Sequence, residues 1–216
     1  MTTPSPQEQA PPKVSADGIL PGDTVLCYSS QMEGEHVEVA GYCHVAIGLG
    51  DGLVLQADGT KVSVAPALHL LETYDHLAIL RDRRFWGTDE IKRLRDFATK
   101  MVGKPFNRMG MMRLPPRQKE HAESVMSAIA NYMKDGTIAA RNQETFFCSQ
   151  LVAEALIDAG VIGEGASIAL DPLVTSPLGV STDGVFGTFL GYLTGEGYRL
   201  PADDKFRRRW TAHDWK

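Results

Sequence analysis

The stretch Tyr42-Cys-His-Val-Ala-Ile-Gly-Leu-Gly-Asp-Gly-Leu-Val-Leu-Gln-Ala57 reads as a β-hairpin. Two β-rich runs, Tyr42 to Leu49 and Leu53 to Ala57, flank a Gly50-Asp51-Gly52 tip of the composition that tight hairpin turns require. Alternation sends His44, Ala46 and Gly48 to one face and Val45, Ile47 and Leu49 to the other. A titratable ring among apolar and small residues needs a reason, and the small neighbours on its face leave room for something to pack or bind. With a three-residue loop, Leu49 pairs with Leu53, Ala46 with Gln56 and His44 with Asp58, so Gln56 and Asp58 share the face of the histidine. A two-residue loop would turn both away.

Outward from the hairpin, Ile19 to Tyr28 reads as a turn followed by a strand, and Lys61 to Val64 and His76 to Arg81 as two more in a mostly antiparallel set. Helical periodicity follows Trp86: Ile91, Leu94, Ala98 and Met101 share one face, with Thr88 as N-cap. Further helices are expected from about Lys119 to Lys134 and from Phe147 to Gly160, the latter with a Leu151, Val152, Ala155, Leu156, Ala159 stripe. Strands followed by helices without regular alternation indicate an α+β fold, a small antiparallel sheet or barrel packed against helices. Residues 1–17, rich in Pro, Gln, Ser and Thr, are expected to be a disordered tail, and 18–216 a single domain with an insertion at about 107–144.

The chain has 216 residues, 43% apolar and 23% charged, the balance of an ordinary globular protein. A net charge of −5 argues against a nucleic-acid binder, and Arg207-Arg208-Arg209, beside Asp203 and Asp204, reads as a solvated face. No run of 18 apolar residues occurs and the N-terminus has no apolar core segment, so neither a membrane span nor a signal peptide is expected. Three cysteines cannot all pair within one chain, which favours a reducing compartment or a reactive thiol.

That thiol is Cys148, in Thr145-Phe-Phe-Cys-Ser-Gln-Leu-Val152, where an aromatic pair gives way to helical spacing. A sulfur in the first helical turn meets unpaired N–H groups and the positive end of the dipole. Both stabilise a thiolate, and the same donors suit an oxyanion. The bland reading of Cys148 is a small core residue, and of His44 a satisfied core histidine. A nucleophilic thiol wants an imidazole, for which His44 is the candidate. Gln56 is then expected to accept its Nδ1–H and orient the ring. Other chemistries fit less well: Gly48 to Gly52 is followed by no phosphate-binding register or helix, and the adjacent Cys43 and His44 point to opposite faces, which breaks a zinc set with Cys27 and His36. Cys27 and Cys43 are expected in the core, and Val185 to Tyr198 in the core or a pocket wall.

Pro21-Gly-Asp23, Tyr42 to Gly52, Val54 to Ala57, Tyr74 to Arg81, Gly103-Lys-Pro-Phe106 and Phe147 to Val152, in this order, resemble the circularly permuted NlpC-type papain-like superfamily, which includes lecithin–retinol acyltransferase-like enzymes. The resemblance spans roughly residues 19–160. It implies a permuted papain-like fold with Cys148 as nucleophile, His44 as base and Gln56 as the polar third residue. Ser149, Tyr42 and Phe147 are the candidates for the oxyanion and substrate contacts. The third position is often a carboxylate in that superfamily, which keeps Asp58 as an alternative. The 107–144 segment also departs from the pattern.

A cysteine hydrolase needing no cofactor or metal follows, with a peptidoglycan peptide amide as first substrate and a lipid ester or N-acyl group as second. Peptidoglycan lies outside the bacterial cytoplasm. Without a signal peptide, the expected route is signal-independent export as an antibacterial effector, with a secretion system or an immunity protein as partners. The rivals are a cytosolic amidase and a catalytically silent module that binds a peptide or lipid.

Overall fold

A computed structural model describes residues 11–30, 41–84, 86–136, 144–163 and 165–207. Six strands, β1 (Thr24–Tyr28), β2 (Tyr42–Gly50), β3 (Leu53–Ala57), β4 (Val62–Pro66), β5 (His76–Arg81) and β6 (Thr188–Thr194), form one open antiparallel sheet in the order β4-β3-β2-β1-β5-β6. Among the described residues seven α-helices accompany it: α1 (Ala67–Leu70), α2 (Thr88–Met101), α3 (Arg108–Met112), α4 (Leu114–Asp135), α5 (Cys148–Asp158), α6 (Ala166–Ala169) and α7 (Pro177–Thr182). The fold is α+β, with helices packed on an antiparallel sheet. No helix of the described residues is long and apolar enough to cross a membrane.

Alternation along the strands divides the core in two. Leu26, Val45, Ile47, Leu55 and Ala57 share one cluster with Leu94 and Phe97 of α2 and with Leu151, Val152, Ala155 and Leu156 of α5. Val25, Cys27, Ala46, Val54, Leu77 and Ile79 meet Ile19 and, from α1, Ala67 and Leu70. Helix α5 follows its expected stripe, and burying those side chains at about 25 cal/mol per Å² holds its N-terminus against β2.

The hairpin tip differs from expectation. Asp51 (φ 53°) and Gly52 (φ 70°) make a two-residue turn, and a bulge sets in between Gly48 and Gly50, so that Gly50 pairs with Leu53 and Ile47 with Leu55. The bulge inserts one residue where the shorter loop removed one, so the strands leave the turn in the register expected for a three-residue loop. Gly48, expected to leave space beside the histidine, is instead roofed by the 19–23 turn. A Cβ there would lie 2.5 Å from the Leu20 carbonyl, and Gly48 N–H donates to the Asp23 carbonyl at 2.7 Å.

Two boundaries are corrected. Pro12 and Val14, expected in the tail, instead run along β6: Tyr192 N–H donates to the Pro12 carbonyl and Val14 N–H to the Tyr192 carbonyl, both at 2.8 Å. Gly191 permits this approach, since a Cβ would meet the Pro12 oxygen at 2.7 Å. The helix expected from about Lys119 starts at Leu114, because Pro115 and Pro116 sit in a first turn that lacks N–H acceptors anyway. The Val185 to Tyr198 stretch supplies β6, pairing with β5 from His76 opposite Thr194 to Arg81 opposite Thr188.

Candidate active site

The site forms where β2 and β3 part. Their ladder runs from Gly50 opposite Leu53 to Ile47 opposite Leu55, while β3 continues to Ala57 paired only with β4. Backbone N–H groups of β2 before Ile47 are thereby released on the β3 side. One of them, Val45 N–H, favours a thiolate at Cys148, as do the backbone N–H groups of Ser149 and of Cys148 itself.

Cys148 is the first residue of α5, as its sequence context suggests, and is 6% exposed. Its position is set by a strap. Phe146 N–H donates to the Pro105 carbonyl at 3.1 Å, Asn107 N–H donates to the Phe146 carbonyl at 2.9 Å, and Gln150 Oε1 closes the helix start by accepting Phe147 N–H at 3.4 Å. Ser149 Oγ donates to the Thr175 carbonyl at 2.8 Å, tying the first turn to the loop that precedes α7.

His44 and Gln56 meet across the gap, with His44 Nε2 2.9 Å from Gln56 Oε1. The nitrogen is Nε2 rather than the expected Nδ1. With Gln56 accepting Nε2–H, Nδ1 is the lone-pair nitrogen, and it has no hydrogen bond among the described residues. No hydrogen bond joins His44 to Cys148 among the described residues either. The ring also stacks on Tyr74, with centroids 5.3 Å apart and planes 3° from parallel.

Asp58 does not orient the ring. Its carboxylate accepts from Thr60 N–H, Thr60 Oγ1, Lys61 N–H and Ser63 Oγ, building the β3–β4 turn. Burial pushes its pKa up, but these hydrogen bonds outweigh it and hold the group at about 2. Tyr42 and Phe147, expected at the substrate, are turned inward at 2% and 1% exposure. Tyr42 OH donates to Asp204 Oδ2 at 2.9 Å and lies 3.2 Å from His76 Nε2, while Tyr192 OH also bonds Asp204 and Tyr198 OH lies 3.2 Å from His76 Nδ1. This cluster escaped the sequence reading because its members come from four distant segments.

Electrostatically the pair is neutral at rest. Burial pushes the His44 pKa down to about 4, against small upward effects of Gln56 and Asp58. Burial also pushes the Cys148 thiol up, and the N–H groups of Val45, Ser149 and Cys148 only partly offset this. The expected thiolate at the helix start is therefore not the resting state, since desolvation exceeds what the first-turn donors return. Cys27 is buried, as expected, whereas Cys43 is half-buried, its Sγ 3.9 Å from the Cys27 carbonyl.

A cavity of about 460 Å³ between Leu20, Trp86, Ile91, Arg81 and Phe189 lies at the opposite end of the sheet and touches neither Cys148 nor His44. No cluster of three or more His, Cys, Asp or Glu suited to a metal occurs among the described residues; His36 lies outside them.

No family model matches the chain. No curated protein matches it in sequence. Among solved structures it is similar to a metalloprotein, YiiX of Escherichia coli O157:H7, described as DUF1105, with 13% identity, a TM-score of 0.47, and coverage of 84% of this chain and 98% of that one.

Proposed function

We propose that the chain is a cysteine-dependent hydrolase of an amide bond, of the permuted NlpC-type papain-like class that its sequence resembles. The observation that carries this reading is the His44–Gln56 pair, with Nε2 and Oε1 2.9 Å apart, on the strand whose Val45 N–H favours a thiolate at Cys148.

In the proposed cycle His44 Nδ1 takes the Cys148 thiol proton as the sulfur attacks the substrate carbonyl, and the C=O pair moves onto oxygen. The imidazolium formed carries a proton on each nitrogen, and Gln56 Oε1 keeps its Nε2–H bond throughout. The first-turn N–H groups of Cys148 and Ser149 are the nearest donors for the oxyanion. Collapse of the tetrahedral species breaks the C–N bond, His44 returns the proton to the leaving amine, and a thioester remains. Water, deprotonated by His44, attacks it; the acid departs and Cys148 regains its proton. A neutral resting pair suits this order, because charge separates only when a carbonyl is present to receive it.

The first substrate is a peptidoglycan peptide, on the resemblance alone. The test is incubation of wild type and Cys148→Ala with purified peptidoglycan and, separately, with phospholipid, followed by mass spectrometry of the products. The reading expects new peptide termini from wild type only. Product formation that survives Cys148→Ala would overturn it.

A further inference from the structure

We propose that α3 and the first turns of α4 form a docking surface for an anionic lipid bilayer. Three observations support it. The first is charge. From residue 97 to residue 119 the chain has no acidic side chain, in a protein of net charge −5, and within α3 and the start of α4 stand Arg108, Arg113, Arg117 and Lys119. None of the four is ion-paired among the described residues, whereas Lys104, just before them, is engaged by Glu144.

The second is apolar exposure. Met109, Met111 and Met112 are 59%, 44% and 56% exposed. At 100° per residue they spread around a single helical turn whose one buried residue is Gly110. No residue of α4 is buried either. Side chains exposed all around one turn do not form the single stripe that a peptide partner would read. They can enter a deformable apolar medium all at once, and unbranched thioethers adapt to one readily. Cations flanking such a turn sit at headgroup depth, their stems along the acyl boundary and their charges against lipid phosphates.

The third is placement. Helix α3 begins directly after Asn107, whose N–H bonds the carbonyl of Phe146, two residues before Cys148. A bilayer held on this face therefore lies next to the strap that positions the candidate nucleophile. Binding itself makes no use of Cys148, so it stands or falls independently of the proposed hydrolase.

The test is sedimentation of the full chain with vesicles of phosphatidylcholine alone and of phosphatidylcholine mixed with phosphatidylglycerol, at low and high salt. Binding to the anionic vesicles only, weakened by salt, is expected. Arg108→Gln with Arg113→Gln should weaken partitioning by about fivefold for each cation removed. Met109→Ser with Met112→Ser should weaken it by roughly tenfold while leaving the circular dichroism unchanged. Cys148→Ala should bind as wild type. Absence of binding, equal binding to neutral vesicles, or no response to the methionine pair would overturn the proposal. So would equally tight binding to a DNA duplex or to polyglutamate, which would mark a general polyanion site.

Discussion

His44 Nε2 and Gln56 Oε1 stand 2.9 Å apart across two strands whose ladder has already ended at Ile47 and Leu55. The bond exists because two irregularities cancel. A two-residue Asp51-Gly52 turn would by itself rotate Gln56 to the other face, and the bulge between Gly48 and Gly50 rotates it back. The side chains thus replace the backbone bonds that the strands relinquish, and the released Val45 N–H favours a thiolate at Cys148.

Gln56→Ala should leave the fold intact and lower kcat by about tenfold to a hundredfold, as the ring loses the acceptor that fixes its tautomer. Gln56→Glu should act differently. A carboxylate beside Nε2 favours the imidazolium, so the His44 pKa rises from about 4 and the acid limb of the kcat/KM profile moves to higher pH. Identical profiles for wild type and Gln56→Glu would show that Gln56 does not hold the catalytic imidazole.

Asp58→Ala should cost stability rather than chemistry. The carboxylate organises Thr60, Lys61 and Ser63, and losing an exposed set of turn hydrogen bonds is worth about 1 kcal/mol. Chemical denaturation should register this while kcat stays within about twofold of wild type. A loss of activity matching that of Gln56→Ala would transfer the orienting role to Asp58.

Legibility in the sequence follows the range of the interaction. The hairpin, α2 and α5 are fixed by periods of two and 3.6 residues and by glycine punctuation, all local signals, and the candidate nucleophile lies at one of those punctuated helix starts. The His44–Gln56 relationship was legible because antiparallel register is arithmetic once the turn is known, although the turn itself was not the one assumed. What stayed hidden depends on distant segments. The Leu20 carbonyl fills the space over Gly48, Pro12 and Val14 bond the far strand, and Tyr42 bonds Asp204, 162 residues away. Tyr42 therefore reads as a substrate contact in sequence while its hydroxyl is committed inside the protein. The charge states were hidden for a similar reason: helix position favours a thiolate, but only the packed structure shows how completely Cys148 is desolvated.

Cys148 should alkylate slowly at neutral pH, with a rate that climbs beyond pH 9 and shows no plateau between pH 6 and 8, because burial raises the thiol above its ordinary value of 9.0. Iodoacetamide labelling followed by peptide mass spectrometry reads this directly. A plateau near neutrality, abolished in His44→Ala, would mean that a thiolate–imidazolium pair already exists at rest.

Stability should fall on the acid side through His44. Above pH 6.5 neither the folded nor the unfolded chain protonates the ring, and its contribution is constant. Between pH 6.5 and about 4 the unfolded chain takes up a proton that the buried ring refuses, so folding weakens by up to about 3 kcal/mol, levelling off once the folded state titrates. Urea midpoints measured over this range should slope downward with acidity in wild type and less so in His44→Gln. Equal slopes would place the acid-labile group elsewhere.

Asp204→Ala should be the most destabilising of these changes. The side chain accepts from Tyr42 and Tyr192 and lies 3.2 Å from His76 Nε2, inside a cluster whose His76 is fully buried. Burial alone would push the carboxyl up, but the bonds from His76, Tyr192 and Tyr42 outweigh it and keep the group ionised. Removing it leaves two hydroxyls and an imidazole without their acceptor in the core, a loss of about 3 kcal/mol. Tyr192→Phe removes one donor only and should cost about 1 kcal/mol. Because Asp204 also accepts Phe206 N–H at 3.0 Å, and Phe206 stacks on Phe189, the loss should free the C-terminal segment from β6. Hydrogen exchange should accordingly quicken at Phe206 and Arg207 in Asp204→Ala and hardly change in Tyr192→Phe. Equal melting temperatures for the two variants would mean that the carboxylate is not what holds that segment.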